Sequence, residues 1–127
     1  MLATDIAKQI RHGETTAEAV VQAALDRIAR QDGQLNCFTH VLDDAALAAA
    51  AVVDRRRLAG EALGPLAGVP FAVKNLFDIA GTVTVAGSKI NQDNPPATVD
   101  ATAVARLKAA GAILVGALNR DEYAYGF

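Results

Sequence analysis

Apolar residues in the first third of the chain recur at intervals of three and four, the spacing of one face of an α-helix. Thr4 is a suitable N-cap and Gly13 a suitable end for a short first helix. Thr15, with Glu18 three positions later, has the pattern of a capping box and predicts a second helix. That helix should run for about 15 residues and end at the Gln-Asp-Gly turn, residues 31–33. The buried faces should contain Leu2, Ile6 and Ile10 in the first helix and Val21, Leu25 and Ile28 in the second.

The middle of the chain is richer in β-branched and aromatic residues. Residues 35–42 predict a strand, and Asp43 or Asp44 is placed to cap an alanine-rich helix that ends near Gly60. After a connector rich in glycine and proline, Val69–Val73 predicts a buried strand.

The last third predicts one further helix between two strands. A long irregular stretch contains one short predicted strand, Thr82–Val85. Asp100 is a suitable cap for the next helix, which Gly111 closes, and residues 112–119 predict a short apolar strand. The inward face of this helix should contain Val104 and Leu107.

The order of these elements predicts the fold class. A helix of about 11 residues between two apolar strands is typical of a crossover that leaves the strands parallel. We therefore expect an α/β fold. Helices should occupy about residues 1–60, and the first core strands with their crossover helix about residues 68–127.

Length and composition allow one ordinary domain. The chain has 127 residues, 52% hydrophobic and 20% charged, so a core is expected and general disorder is not. A net charge of −2 offers no positive surface for nucleic acid. The N-terminus lacks a signal-peptide pattern, and the longest apolar run, residues 45–53, is far shorter than the roughly 20 residues of a membrane span. We therefore expect a cytoplasmic protein with no nucleic-acid or membrane partner.

The C-terminal segment is aromatic. It contains Tyr123, Tyr125 and Phe127, whose rings carry a large apolar area that is unusual at a solvated terminus. Because no cap, charged tail or turn sequence follows, we expect the chain to be the N-terminal fragment of a longer protein.

The most informative chemistry lies where an apolar strand runs directly into Lys74. Such a lysine can simply extend its ammonium group to the surface. In a desolvated site, however, the charged form is disfavoured, and a neutral amine can take a proton from a serine hydroxyl. Ser88 is the one serine of the chain, but it lies in a predicted loop without a nucleophile-elbow pattern, so we do not expect it to be the nucleophile.

Metal and thiol chemistry are not indicated by the sequence. The chain contains His12, Cys37 and His40, which do not have the spacing of metal ligands. The single cysteine has no feature that would make it reactive, and we expect it to be a buried structural thiol.

Four segments of the chain resemble the N-terminal portion of amidase-signature hydrolases. They are GPLAGVPFAVKNLFD, AGSKIN, DATAVARLKAAGAILVGALNRDEYAYGF and TTAEAVVQAALDRIARQDGQLNCFTHV. The most specific feature is the Pro-Leu-x-Gly-Val-Pro-x-x-Val-Lys segment followed by the Ala-Gly-Ala-x-x-x-Gly-x-x-Asn segment. The resemblance implies a single α/β domain with a mixed central sheet wrapped by helices, of which this chain supplies the N-terminal part.

The resemblance also implies a Ser–cis-Ser–Lys catalytic triad. Lys74 matches the catalytic lysine, which is the base. The serines belong to a segment rich in glycine and serine that follows further along in the family and is not in this sequence. Ala124, Tyr125 and Gly126 match positions that border the acyl side of the substrate pocket. No metal or cofactor is implied.

Asn75 is a departure from the family pattern, since most members place an acidic residue directly after the lysine. With this variant the chain resembles members that hydrolyse a small, urea-like amide acid and release ammonia. The implied partners are a small-molecule amide substrate and a small accessory subunit resembling the C subunit of the tRNA-dependent amidotransferase. A homodimer is also compatible with the resemblance.

Two alternatives stay open at the level of the sequence. The chain also resembles the A subunit of the glutamyl-tRNA(Gln) amidotransferase, which shares the lysine. It could instead be a non-catalytic α/β interaction module, which the missing serines favour. Because those serines are missing, we expect the 127-residue chain to be inactive by itself.

Overall fold

A computed structural model describes residues 1–126, and Phe127, the last ring of the aromatic segment, lies outside the described residues. The helices are α1 (Ala3–His12), α2 (Ala17–Leu35), α3 (Asp43–Leu58) and α4 (Thr102–Ala109). The strands are β1 (Phe38–Val41), β2 (Pro70–Lys74) and β3 (Ile113–Leu118). Two 3₁₀ turns cover Lys89–Asn91 and Glu122–Ala124.

The three strands form a mixed sheet in the order β1-β3-β2. β2 and β3 are parallel and are connected through α4, whereas β1 is antiparallel to β3. The predicted α/β class and the parallel crossover pair are therefore confirmed. β3 is apolar along its whole length because it is the central strand of the sheet and is covered on both faces.

The two faces of β3 pack into different parts of the core. Ile113 and Val115 contact the N-terminal helices, whereas Leu114 and Ala117 contact α4 and the loop after β2. The helical side of the first cluster consists of Ile10, Ala17, Val21, Leu25, Ala46 and Ala50. The second cluster is completed by Ile79 and Val104. A fully buried Val or Ile contributes about 1.5–3 kcal/mol, so this packing, more than helix propensity, holds the elements together.

Each outer strand meets β3 with an irregular register. Phe38 pairs with Leu118 and His40 with Ala117, so Thr39 of β1 is an extra residue, a β-bulge. Gly116 of β3 fits here because a Cβ atom at that position would lie 2.5 Å from the His40 carbonyl oxygen. The bulge therefore changes the direction of Thr39 at the end of the sheet where β2 also ends.

The start of α2 is capped from two directions. Thr16, one residue later than predicted, accepts a hydrogen bond from the Ala19 N–H at 3.1 Å. The buried Asp54 of α3 accepts hydrogen bonds from the N–H groups of Ala17 at 2.8 Å and Glu18 at 3.0 Å. A carboxylate at a helix N-terminus is favourable, and here it also fastens α3 to α2.

The predicted end of α2 at residues 31–33 is wrong. The helix continues through Gly33 to Leu35, and Asn36 ends it in the left-handed conformation with φ 51°. The Asp32 side chain accepts a hydrogen bond from the Cys37 N–H at 2.6 Å, which shows that this aspartate closes the helix instead of starting a turn. Cys37 itself is exposed, so the expectation of a buried thiol is also wrong.

Other local predictions differ from the structure because side chains bond differently than the local pattern indicates. Thr82–Val85 is not a strand, since its polar groups bond to the surrounding loop. Thr4 lies inside α1, whose N-cap is Leu2 and not Thr4 as predicted. The N-cap of α3 is Leu42, so Asp43 is the first residue of the helix and not its cap.

The predicted cap of α4 is also wrong. Asp100 is not the cap, because its carboxylate accepts hydrogen bonds from the Ala80 N–H and from Lys108 instead.

Candidate active site

The candidate catalytic lysine stands at the carboxyl end of the parallel strand pair. Lys74 is the last residue of β2 and pairs in register with Leu118, the last residue of β3. Ligands of open α/β sheets bind outside the carboxyl ends of parallel strands, so a site is expected at this end of the sheet. Lys74 is exposed among residues 1–126, and the desolvation proposed from the sequence is therefore not provided by the described part of the chain.

Asn75, the next residue, is the best-connected polar group of this region. Its side chain is buried, donating from Nδ2 to Thr39 Oγ1 at 2.7 Å and accepting at Oδ1 from the Val85 N–H at 3.0 Å. Its own N–H donates to the Leu118 carbonyl oxygen at 2.8 Å, and its carbonyl oxygen accepts from the Ala86 N–H at 2.8 Å. Asn75 thus connects the ends of all three strands and the loop that follows β2.

The loop after β2 folds back against the segment after β3. Ala86 is buried with a φ of 49°, and Gly87 follows with a φ of 73°, so the chain turns sharply here. A Cβ atom on Gly87 would lie 2.6 Å from the Asp121 carbonyl oxygen, which only glycine avoids. Ser88 is buried in the same turn.

The loop after β2 is hydrogen-bonded to the aromatic segment after β3, which contains the predicted substrate-binding residues. The Tyr123 N–H donates to the Ala86 carbonyl oxygen at 2.8 Å, and Asn91 Nδ2 donates to the Tyr123 hydroxyl at 2.9 Å. Tyr123 and Ala124 both have positive φ, 49° and 58°, an unusual backbone for non-glycine residues that is often found at functional sites.

Ala124, Tyr125 and Gly126 are exposed directly after this anchor. Ala86 therefore joins two regions: its N–H bonds to Asn75, beside Lys74, and its carbonyl oxygen bonds to Tyr123, beside the predicted substrate-binding residues. The arrangement places an amine-bearing strand end and an exposed loop in one hydrogen-bonded unit.

Arg120 is a buried charged residue that was not predicted from the sequence. Its side chain is 1% exposed and makes an ion pair from Nη2 to Asp121 Oδ1 at 3.1 Å. Its Nε and Nη1 atoms are buried and have no hydrogen-bond partner within residues 1–126. A buried guanidinium with unpaired donors is energetically costly, and nothing in the local sequence pattern indicates its burial.

Other kinds of site are not supported by the described residues. No group of three or more His, Cys, Asp and Glu side chains within residues 1–126 could hold a metal ion. None of the helices that the structure describes is long and apolar enough to cross a membrane. An open apolar groove of 380 Å³ between α3, β3 and the end of α4 is lined by residues such as Ala49, Val53 and Ile113, and not by Lys74.

Residues 19–127 match the family model described as Amidase. The chain therefore belongs to the amidase family. Over all 127 residues it is 54% identical to the AtzE polypeptide of 1-carboxybiuret hydrolase from Pseudomonas sp. (strain ADP), of which it covers 28%. It is also 50% identical over 125 residues, 98% of the chain, to the A subunit of the glutamyl-tRNA(Gln) amidotransferase from Salinispora tropica, covering 25% of that relative.

Solved structures share this fold. The chain superposes with a TM-score of 0.97 and 54% identity on a structure described as "An unexpected vestigial protein complex reveals the evolutionary origins of an s-triazine catabolic enzyme", covering 100% of this chain and 28% of that one. The native peptide amidase from Stenotrophomonas maltophilia matches with a TM-score of 0.86 and 35% identity over 95% of this chain and 25% of its own. The fold is the N-terminal part of the amidase-signature fold, as the resemblance implied.

Proposed function

We propose that this chain is the lysine-bearing part of a hydrolase that cleaves amide C–N bonds. The observation that carries the proposal is the position of Lys74 at the carboxyl end of β2, one residue before an asparagine that fixes this strand end to the neighbouring segments. Family membership supports the reaction class. The chain covers 28% of its carboxybiuret-hydrolase relative, so the activity is proposed for a protein of that relative's length and not for these 127 residues alone.

In the proposed mechanism Lys74 is the base of a Ser–cis-Ser–Lys triad. Its neutral amine takes the proton of a bridging serine, which in turn takes the proton of the nucleophilic serine. The nucleophile attacks the amide carbonyl carbon to form a tetrahedral intermediate. The C–N bond breaks as the protonated Lys74, through the bridging serine, returns its proton to the leaving nitrogen, which departs as ammonia. A water molecule then gives a proton to the neutral Lys74 by the same route and attacks the acyl-enzyme, and that proton passes to the nucleophilic serine oxygen as the acid is released. Both serines, and the covering that keeps the amine dry, must come from outside these 127 residues.

The proposed substrate is a small, urea-like amide such as 1-carboxybiuret. The support is the 54% identity to a relative of that name over the whole chain. Ala124, Tyr125 and Gly126 would border the acyl side of the substrate, because they are exposed and follow the Ala86–Tyr123 hydrogen bond. Since the chain contains one serine, Ser88, buried in a turn, the 127-residue chain alone should not turn over amides.

A small accessory subunit resembling the amidotransferase C subunit is the proposed partner. Its support is that the structure matched at a TM-score of 0.97 is described as a protein complex. Co-purification of the tagged protein from its source, followed by sequencing of the bound chains, would identify such a partner.

The test is to express the full product of the reading frame that contains these residues and to measure ammonia release from 1-carboxybiuret and biuret. Lys74→Ala should lower turnover at least about 1,000-fold, because the base is lost. Lys8→Ala, which changes an exposed lysine on α1, should leave turnover within about two-fold of the unchanged protein. Full activity of the Lys74→Ala protein would refute the proposal.

The same assay separates the amidotransferase alternative. The 50% identity to an amidotransferase A subunit is the observation that favours it. Glutamine-dependent amidation of glutamyl-tRNA(Gln), without hydrolysis of the biuret compounds, would identify that function instead.

A further inference from the structure

The side chain of Asn75 uses both ends of its amide in one buried position. Its carbonyl oxygen accepts from the Val85 N–H at 3.0 Å, and its NH₂ group donates to Thr39 Oγ1 at 2.7 Å, with the residue 2% exposed. An amide can do this because it carries an acceptor and a donor on one planar group. From the sequence alone, Asn75 was only a departure from a family pattern and had no role.

The partner of Asn75 is itself held in place. Thr39 is the bulged residue of β1, and its hydroxyl donates to the Ala117 carbonyl oxygen at 3.3 Å. That hydroxyl then has a lone pair free to accept from Asn75. β1 and β2 lie on opposite sides of β3, so this contact connects the two outer strands across the end of the central one.

A carboxylate would not reproduce this arrangement. An aspartate could still accept from the Val85 N–H, but it has no proton to donate to Thr39. The Thr39 hydroxyl would have to turn toward the carboxylate and give up its hydrogen bond to Ala117. The geometry therefore requires an amide at position 75 and a hydroxyl at position 39 together.

We propose that Asn75, through Thr39, is the positioning residue of Lys74. It fixes the last peptide of β2 and so the point from which the flexible lysine side chain starts. Its backbone carbonyl oxygen accepts a hydrogen bond from the Ala86 N–H, and the Ala86 carbonyl oxygen in turn accepts one from the Tyr123 N–H. This rests on the proposed function of Lys74 as the base. A displacement of about 1 Å in a reacting group can cost about 100-fold in rate, so the anchor of the lysine affects turnover even though it does not touch substrate.

The experiment uses the full reading-frame product with four substitutions: Asn75→Ala, Asn75→Asp, Thr39→Val and the conservative Thr39→Ser. Steady-state kinetics on 1-carboxybiuret are measured well below each variant's thermal unfolding midpoint, so that the folded fraction is the same. Asn75→Ala should lower kcat by about 10–100-fold with KM within about two-fold, because the base is misplaced and the substrate contacts are not.

The Thr39 pair separates positioning from general packing. Thr39→Val keeps the shape and loses the hydroxyl, and it should lower kcat about five- to ten-fold, whereas Thr39→Ser should retain kcat within about two-fold. Asn75→Asp should fall between the unchanged protein and Asn75→Ala. The Asn75→Ala/Thr39→Val double variant should lose less kcat than the product of the two single losses, since each single variant already lacks the Asn75–Thr39 hydrogen bond.

The outcomes distinguish this inference from the proposed function. If Lys74→Ala is inactive but the Asn75 and Thr39 variants keep the kcat of the unchanged protein, the positioning role is wrong and the base is not. The role is equally refuted if Thr39→Ser loses as much kcat as Thr39→Val. If Asn75→Ala does not fold, the Thr39 pair and Asn75→Asp still decide the question. Full activity of Lys74→Ala would instead remove the proposed function on which the inference rests.

Discussion

Single residues at the end of the sheet decide what this region can do. Lys74 follows an apolar strand because β2 packs half-buried against the second core cluster and ends with Lys74, whose side chain is exposed. Asn75 is buried at the same edge because both ends of its amide find partners there. The residue that carries the chemistry and the residue that holds it are thus neighbours in sequence, with opposite exposure.

The buried guanidinium of Arg120 has donors without acceptors within residues 1–126. Its Nε and Nη1 lack acceptors within residues 1–126 although the side chain is 1% exposed, so Arg120→Met should raise the free energy of unfolding by about 1–2 kcal/mol. Chemical denaturation of the full reading-frame product measures this. Arg106→Met, on the exposed side of α4, is the control and should change stability by less than about 0.5 kcal/mol. A destabilised Arg120→Met protein would mean that the rest of the protein supplies an acceptor for the guanidinium.

At the scale of elements, charged side chains join segments that are distant in sequence. Asp54 of α3 caps α2, and Asp100 connects the loop after β2 to α4. The Lys108 ammonium and the Ala80 N–H hydrogen-bond to Asp100 and lower the pKa of its carboxyl group below the ordinary value of 3.8. These contacts hold α4 against the loop after β2.

The contacts of Asp100 make the stability of the fold depend on pH. Because its pKa is lower in the folded state, its stabilisation is present above pH 3.8 and is lost as the pH falls through the folded value. Asp100→Asn should therefore reduce the free energy of unfolding by about 1 kcal/mol at pH 7, and the difference should shrink below pH 3.8. Urea unfolding at a series of pH values measures both. A difference that stays constant down to about pH 2.5 would contradict the assignment.

At the scale of the whole molecule, the sheet has two open edges. The order β1-β3-β2 leaves one side of β1 and one side of β2 unpaired among residues 1–126. Large apolar side chains such as Leu58 and Tyr125, each 75% exposed, lie on the surface. Open strand edges and exposed apolar groups together favour association.

We therefore expect the 127-residue chain, expressed alone, to aggregate or to form a molten state. A protein of the relatives' full length, of which this chain covers 28%, has further chain to cover such surfaces and should be monodisperse. Light scattering after size exclusion and the dispersion of amide NMR signals make the comparison. A sharp, cooperative unfolding transition with dispersed signals for the short chain would contradict this expectation.

Much of the architecture follows from the local pattern. Four helices, a strand before Lys74, the apolar strand before Asn119 and their parallel pairing were predicted, because periodicity records which face of an element is buried. The strand before Lys74 was predicted to be buried, but β2 is half-buried because it is an outer strand of the sheet within residues 1–126. Helix ends were predicted less well. The cap of α2 is shared with Asp54, which is distant in sequence, and Gly33 continues a helix because Asp32 and Asn36 close it later.

Residue types at fixed spacing are sufficient to predict the α/β class, the family resemblance and Lys74 as the candidate base. The exposure of Lys74, the burial of the Arg120 side chain and the hydrogen bond between Asn75 and Thr39 are known only from the three-dimensional fold. Those properties depend on groups from separate strands and loops that lie together at the carboxyl end of β2 and β3. A one-dimensional pattern does not contain these meetings, because burial and hydrogen bonding are set by what lies opposite a residue in space.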